Sequence, residues 1–255
     1  MRFSLVNGVR EIPSKNKKGE CLFCGREMIS RCGKIREHHW AHVGKLECDP
    51  WRENETKWHR DWKVNFPSDW QEVIHRDEIS GEKHIADVKT NEGWVIEFQH
   101  SYLKPDERKA RNNFYKKIVW VVDGTRLRRD EENFVRAYNN GVQLNKLGKS
   151  INLEACSTLR EWCIESAPVC FDFGNDALYV VLPKAPDGIP NVIKIPKVFF
   201  ISEFQNINPQ ISYVLAIKKL LEAYYNQIHP EVIQTISIRQ KDYIRPRFIR
   251  RGHRL

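Results

Sequence analysis

The chain has 255 residues, a formal net charge of +9 and seven cysteines. No apolar run approaches the roughly 20 residues that a membrane-spanning helix needs, and the N-terminal segment lacks the apolar stretch of a secretory signal. These features predict a cytoplasmic protein with no membrane partner, and the positive charge favours an acidic partner such as nucleic acid.

Changes of pattern divide the chain into three blocks, residues 1–48, 49–125 and 126–255. The first block is too poor in apolar periodicity to build a core unaided. Its Cys21-x2-Cys24 pair is followed after fourteen residues by His39-x2-His42, the spacing of a tetrahedral Zn²⁺ site. We predict a zinc-binding module with a structural Zn²⁺, redox use of the thiols being the alternative. Three other residues could each replace a histidine: Cys32, His38 and Cys48.

The second block opens on Asp49-Pro50, a helix start signal, because Asp can cap a helix and Pro fits its first turn. A helix is predicted from there to about residue 64. Side chains three or four positions apart share a helix face, which creates two stripes. The polar stripe is Glu55, His59 and Lys63, and the aromatic stripe is Trp51, Trp58 and Trp62. The tryptophans are expected to pack onto a sheet, while a solvated helix face is the plain alternative for the polar stripe.

Strands are predicted near residues 70–76, 83–89 and 94–99, followed by a helix near 105–117 and an apolar strand at 118–122. The order α-β-β-β-α-β indicates an α+β or α/β fold, with a mixed central sheet flanked by helices. The last strand should run parallel to its neighbour, because a helix connects the two.

The third block is predicted to be a C-terminal α+β extension that could extend the sheet, cover it or bind substrate. It should contain a helix near 159–166, strands around Val169, Tyr179 and 193–201, and a long helix near 211–227. Its cysteines, Cys156, Cys163 and Cys170, are interpreted as small apolar residues. The tail at 239–255 carries seven Arg or Lys against one Asp and either contacts phosphates or forms a solvated end.

Two acids stand on the central strands of the second block, where strand propensity disfavours them. If the three residues before Trp94 form a hairpin loop with Gly93 in the left-handed conformation, Asp87 lies directly across from Glu97. Their Cβ atoms would then be about 5 Å apart. Such a pair would repel, raise its pKa values or bind a divalent cation through oxygen ligands. A wet hairpin face that tolerates both acids is the alternative.

Several pieces occur in a fixed order within residues 20–125. They are the Cys21-x2-Cys24 pair, the His39-Trp40-Ala41-His42 box, the Glu55-x3-His59-x3-Lys63 helix, Asp87, the Glu97-Phe98-Gln99-His100-Ser101 run, and Arg108, Arg111 and Tyr115 ahead of Ile118-Val119-Trp120-Val121. Together they resemble the competence-related CoiA-like branch of the PD-(D/E)XK nuclease superfamily in its E-x-Q form. The resemblance implies a restriction-endonuclease-like core and metal-dependent hydrolysis of phosphodiester bonds.

In this resemblance Asp87 and Glu97 hold a catalytic Mg²⁺ or Mn²⁺, and Glu55 is a candidate outer ligand. Gln99 stands where the superfamily usually has lysine. An amide is neither a cation nor a general base, although it can orient a water molecule. Lys63 or Lys89 could supply the missing charge, and His59 could contact a phosphate or transfer a proton.

DNA, double- or single-stranded, is the partner that the resemblance implies. Ser101, Arg108 and Arg111 lie just past the second acid and could grip a phosphate, with surface ion pairing as the alternative. Tail candidates for the same role are Arg245, Arg247, Arg250 and Arg251. The rival hypothesis is a zinc-containing DNA-binding scaffold, weakly active or inactive, in DNA uptake, recombination or phage defence. Protein partners in such complexes and a homo-oligomer stay open.

Overall fold

The computed structural model describes residues 1–44, 48–53, 55–127, 129–143, 148–163, 167–182, 190–205 and 219. The helix predicted near 211–227, apart from Lys219, lies outside these residues. The basic tail with Arg245, Arg247, Arg250 and Arg251 also lies outside them.

The N-terminal part of the chain forms a small antiparallel sheet. Its strands are β1 (Ser4–Val6), β2 (Val9–Glu11), β3 (Lys18–Glu20), β4 (Glu27–Arg31) and β5 (His39–His42), in the spatial order β2-β1-β3-β4-β5. Its buried apolar cluster consists of Met1, Cys21, Met28 and Trp40. Four buried side chains make a small core, as the composition of this block predicts.

A second, larger sheet contains strands from both the middle and the C-terminal part of the chain. They are β6 (Gln71–Arg76), β7 (Lys83–Lys89), β8 (Val95–Gln99), β9 (Ile118–Asp123), β10 (Val142–Gln143), β11 (Gly148–Ser150), β12 (Val169–Asp172), β13 (Ala177–Leu182) and β14 (Asn191–Pro196). Their spatial order is β10-β11-β14-β13-β12-β9-β8-β7-β6. The β8–β9 and β9–β12 pairs are parallel and the other described pairs are antiparallel. The protein is therefore a mixed α+β structure, as predicted at this level.

Helices cover both faces of the large sheet. They are α1 (Lys57–Lys63), α2 (Pro105–Tyr115), α3 (Asp130–Asn139), α4 (Ser157–Trp162) and α5 (Lys197–Gln205). Alternate residues of β9 point to opposite faces, so Trp120 joins the apolar cluster beside α3 and α4 while Val121 joins the one beside α1 and α5. No helix in the described ranges combines the length and apolarity needed to cross a membrane.

Several element predictions for the middle block are confirmed. Strand β7 has the predicted bounds, β8 and β9 differ from theirs by one residue, and α2 ends two residues early. The β8–β9 pair is parallel, with Glu97 opposite Trp120, as the helical connection through α2 requires.

The predicted start of the first helix at Asp49-Pro50 is wrong. Helix α1 begins at Lys57, where the Thr56 side chain accepts a hydrogen bond from the His59 amide as N-cap. The Asp49 carboxylate is instead 2% exposed and accepts from the amide of Ile85 at 2.7 Å. Asp49 therefore bonds to strand β7 instead of capping a helix.

The C-terminal part of the chain extends the sheet, one of the three options left open for it. Strand β12 pairs with β9 in parallel, with Val169 opposite Trp120, so the predicted division after residue 125 runs through one continuous sheet. The strand predicted at 193–201 ends at Pro196 and α5 begins at Lys197, so its second half was wrong. The three cysteines predicted to be apolar, Cys156, Cys163 and Cys170, are buried.

Candidate active site

The hairpin between β7 and β8 brings the two central acids together. Gly93 has φ +82°, and the Thr90 amide donates to the Trp94 carbonyl at 2.8 Å, which closes the predicted three-residue loop. The register pairs Val88 with Ile96, so the next position places Asp87 across from Glu97. This part of the sequence prediction is confirmed.

Where β7 and β8 stop pairing, hydrogen bonds from backbone amides to the two carboxylates take the place of backbone–backbone bonds. The Asp87 amide donates to Glu97 Oε1 at 3.1 Å, and the Phe98 amide donates to Asp87 Oδ2 at 3.0 Å. Each carboxylate therefore satisfies a backbone donor on the opposite strand. Because the side chains stand between the strands, both are held rigidly at the end of the ladder.

Glu97 is the more deeply buried member of the pair, at 4% exposure. Burial and the charge of Asp87 raise the pKa of Glu97 to about 8, although Arg111 donates to Glu97 Oε2 at 3.1 Å and lowers it. Arg111 also pairs with Glu107, so its charge is shared. Glu97 therefore keeps its proton at neutral pH unless an added positive charge displaces it.

Helix α1 supplies a buried ammonium group. Lys63 is 3% exposed, and its Nζ lies 2.8 Å from Glu55 Oε1, 3.3 Å from Asp87 Oδ1 and 3.7 Å from Glu72 Oε1. Burial opposes the charged form, yet Asp87, Glu55 and Glu72 together raise the pKa of Lys63 above its usual value. Of the two lysines proposed to replace the missing cation, Lys63 lines the pocket and Lys89 is not among its lining residues.

The aromatic stripe of α1 packs as predicted for two of its three members. Trp62 stacks on Phe98 of β8 with ring centroids 5.6 Å apart, and Trp58 meets Phe98 edge-on at 6.2 Å. Trp51 was wrongly placed in the stripe, because it precedes the helix and stacks on His84 at 3.3 Å. Packing of Trp58 and Trp62 turns the adjacent side of α1, with His59 and Lys63, towards the acids.

The two acids, Lys63 and His59 line one partly open cavity of about 50 Å³, room for a few water molecules or one ion. Its carboxylates are Glu53, Glu55, Glu72, Asp87 and Glu97, and its permanently cationic side chains are Arg52, Lys63 and Arg111. His59 and Gln99 complete the polar lining. Acids outnumber cations in this cavity, which suits a positively charged guest.

Two of the cavity acids were not predicted. Glu53 Oε1 accepts from the Ser101 amide at 2.7 Å; burial favours its neutral form, but hydrogen bonds from His59 and Ser101 hold the pKa of Glu53 below its usual value. Glu72 accepts from the amides of Arg2 and Phe3 at 2.8 and 3.2 Å and has φ +47°, a strained conformation for a residue with a Cβ. Its contacts tie the N-terminal strand to the large sheet.

The three residues predicted to contact phosphate beyond Glu97 differ in their placement. Arg111 is buried in the cavity wall, whereas Ser101 is exposed and is not among the residues that line the cavity. Arg108 is 1% exposed, donates to the Glu161 carbonyl at 2.6 Å and packs over Trp162. The prediction that Arg108 grips a phosphate is therefore corrected, because a side chain sealed against α4 has no access to a polynucleotide.

A Cys/His cluster lies in the small N-terminal sheet. Cys21, Cys24, His42 and Cys48 place one ligand atom each within 4.8 Å of the others. Cys21 Sγ lies 3.7 Å from Cys48 Sγ, and Cys24 Sγ lies 3.3 Å from His42 Nε2. A tetrahedral Zn²⁺ with bonds of about 2.0–2.3 Å separates its ligand atoms by roughly 3.5–3.8 Å, so the cluster could bind a metal such as zinc.

His39 is not a member of this cluster, which corrects its prediction as a ligand. It lies three residues before His42 on β5, and residues an odd number apart on a strand face opposite sides. His39 Nδ1 instead contacts the Glu37 carbonyl at 2.8 Å. Cys48 takes the fourth position, one of the alternatives left open by the spacing.

No family model, curated protein or solved structure matches this chain. What the cavity can do chemically is therefore inferred from the side chains that line it. It combines an acid pair at the end of a β ladder, a buried ammonium group and a neutral amide, all on rigid elements.

Proposed function

We propose that the chain is a metal-dependent nuclease that hydrolyses phosphodiester bonds of DNA on a PD-(D/E)XK core of the CoiA-like kind. The observation that carries the proposal is the placement of Asp87 and Glu97 side by side in one cavity, with Lys63 3.3 Å from Asp87 Oδ1. Carboxylates at the ends of neighbouring strands beside a lysine are the groups that the resemblance requires.

Asp87 and Glu97 would hold Mg²⁺ or Mn²⁺, and Glu55 would act as an outer ligand. These cations prefer carboxylate, carbonyl and water oxygens, which the cavity offers. The raised pKa of Glu97, caused by burial and by Asp87, is relieved by an added positive charge. A bound cation supplies Lewis acidity, lowers the pKa of a coordinated water and stabilises the departing oxyanion.

His59 would donate a hydrogen bond to a phosphate oxygen. The Thr56 amide donates to His59 Nδ1 at 3.1 Å, so this nitrogen is an acceptor and the proton resides on Nε2. That Nε2 lies in the cavity, 3.4 Å from Glu53 Oε2. Lys63 would place its positive charge between Asp87 and the phosphate. This is the role of the lysine that the superfamily usually has at the position of Gln99.

A groove next to the cavity offers a path for the polynucleotide. It has a volume of about 560 Å³, shares Met1, Arg52 and Glu55 with the cavity and runs between the small sheet and α1. Its other cations are Arg36, Lys57 and Arg60. The cations of the groove would bind the phosphates of the DNA backbone. The acids of the cavity would bind the metal ion that neutralises the scissile phosphate.

A DNA-binding scaffold without hydrolysis is the second candidate. The ion pairs of Lys63 with Asp87 and of Arg111 with Glu97 favour it, because they compensate part of the acid charge within the protein. Gln99 favours it too, since it adds no charge to the site. Such a protein would serve DNA uptake, recombination or phage defence by binding alone.

Incubation with plasmid and single-stranded DNA in Mg²⁺, Mn²⁺ or EDTA tests the two candidates. We expect cleavage with either cation, none in EDTA, and none by Asp87→Asn or Glu97→Gln. Glu78→Gln, at an exposed acid between β6 and β7, is the matched control and should cleave like the wild type. Unchanged cleavage by both cavity variants would exclude the site, and absence of cleavage on every substrate would favour the scaffold.

A further inference from the structure

Gln99 has a defined amide orientation. Its Nε2 donates to Glu53 Oε2 at 2.9 Å and to the Ser101 carbonyl at 3.1 Å, so both amide protons are used. Rotating the amide by a half turn would place Oε1 against two oxygens that can only accept. The rotated amide would lose both hydrogen bonds and would bring Oε1 into two repulsive contacts with oxygen atoms. The observed orientation is therefore strongly preferred.

Glu53 is itself fixed by the segment that follows β8. Its Oε1 accepts from the Ser101 amide at 2.7 Å, and its Oε2 faces Gln99 and His59. The carboxylate therefore bridges Ser101, Gln99 and His59. It reaches this position because residues 51–53 and 55–56 lie outside α1, and Trp51, Arg52, Glu53 and Glu55 line the cavity.

The other end of the Gln99 amide remains available. Gln99 is 3% exposed and lines the same cavity as Asp87 and Glu97. Its Oε1 accepts no hydrogen bond from the described residues, whereas Nε2 is fully used. The group that position 99 has left to offer the cavity is therefore an acceptor oxygen rather than an N–H donor.

We infer that Glu53 is a positioning residue that turns the Gln99 carbonyl oxygen into the cavity as a third oxygen donor for the divalent cation, beside Asp87 and Glu97. This role rests on the proposed cation site. It gives position 99 a function that a lysine cannot perform, because an ammonium group offers no acceptor. Lys63 on α1 then supplies the positive charge that a lysine at position 99 would provide.

Glu53→Gln keeps the size of the side chain, replaces one oxygen by an NH2 group and removes the negative charge. The substituted amide must keep its oxygen towards the Ser101 amide, so its NH2 group faces Gln99. Gln99 can accept from this NH2 group only by rotating, which ends its hydrogen bond to the Ser101 carbonyl and turns its own NH2 group into the cavity. We expect Mn²⁺ binding, measured by electron paramagnetic resonance titration, to weaken about 10- to 100-fold.

A double-substitution cycle separates positioning from plain structural damage. Gln99→Leu removes the oxygen donor and should weaken Mn²⁺ binding by a similar factor. If Glu53 acts through Gln99, adding Glu53→Gln to Gln99→Leu causes little further loss. Additive losses, or Mn²⁺ binding by Glu53→Gln within about twofold of the wild type, would overturn the inference. The Glu78→Gln protein and the zinc content of each variant are the controls.

Wild-type Mn²⁺ binding distinguishes this inference from the proposed function. Binding that Asp87→Asn abolishes, together with an unaffected Glu53→Gln variant, removes only the role of Glu53. Absence of Mn²⁺ binding by the wild type, or binding unaffected by Asp87→Asn, removes the cation site and the role of Glu53 with it.

Discussion

Glu97 makes the stability of the metal-free protein depend on pH in an unusual direction. Its pKa is raised from 4.5 to about 8 by burial and by the charge of Asp87, so folding favours the protonated carboxyl group. Above about pH 4.5 the unfolded chain releases this proton while the folded protein retains it. Stability is therefore lost as the pH rises towards 8, the opposite of an ordinary ion-paired carboxylate.

Linkage gives the size of the effect. For a carboxyl group with pKa values of 4.5 unfolded and about 8 folded, the free energy of unfolding falls by about 2 kcal/mol between pH 6 and pH 8. In a chain of this size that lowers the melting temperature by roughly 5–8 °C. Glu97→Gln removes the titrating group, so this part of the pH dependence should vanish.

The assay is thermal and urea unfolding of wild type and Glu97→Gln at pH 6, 7 and 8, with zinc retained and Mg²⁺ absent. Comparing slopes with pH, rather than absolute stabilities, cancels the altered contact with Arg111. Adding Mg²⁺ should stabilise the wild type more at pH 8 than at pH 6, because the cation competes with the proton. Parallel pH curves for the two proteins would refute the reasoning.

Two further predictions concern residues outside the cavity. Asp172→Asn should destabilise the protein by about 1–3 kcal/mol in urea unfolding, because the buried Asp172 Oδ1 pairs with Lys197 at 2.6 Å and accepts from the Gly174 amide at 2.8 Å. The Asn oxygen can keep the bonds from the Trp58 and Trp62 indoles, which both reach Oδ2, so its NH2 group then faces the other two donors. An unchanged midpoint would contradict this. Cys48→Ser should remove about one equivalent of zinc per chain by metal analysis, whereas Cys32→Ser, outside the cluster, should retain it. Equal zinc in both proteins would exclude Cys48 as a ligand.

The features that the sequence predicts well are local. The loop before Trp94 follows from Gly93, and alternation along the strand then aligns Asp87 with Glu97 without knowledge of distant residues. Strand β9 is apolar on both faces, which is typical of a central strand covered on two sides. Such elements can be predicted because the information lies within a few residues.

The features that were missed depend on distant partners. Asp49 carries a capping signal, but the amide of Ile85 uses its carboxylate, so the helix begins later. Glu53 then lies outside any helix or strand, where helical periodicity gives no indication of its contact with Gln99. Arg108 is buried by Trp162, far along the chain.

The Cys/His cluster that could bind a metal is an intermediate case. Spacing alone allows either histidine of the His39-Trp40-Ala41-His42 box. Treating that box as a strand would have excluded a joint role for His39 and His42, because strand residues three apart face opposite sides. The spacing of the two histidines therefore carried the information, but only once the segment had been assigned as a strand.

The continuous large sheet restricts how this protein can be shortened. Truncation after residue 125 would strip β12 from β9 and leave the backbone of β9 as a bare edge flanked by Trp120 and Val121. Unprotected apolar edges of this kind recruit other chains and aggregate. A fragment that carries the acid pair would therefore have to retain β12, although this strand comes more than 40 residues after the hairpin that holds the acids.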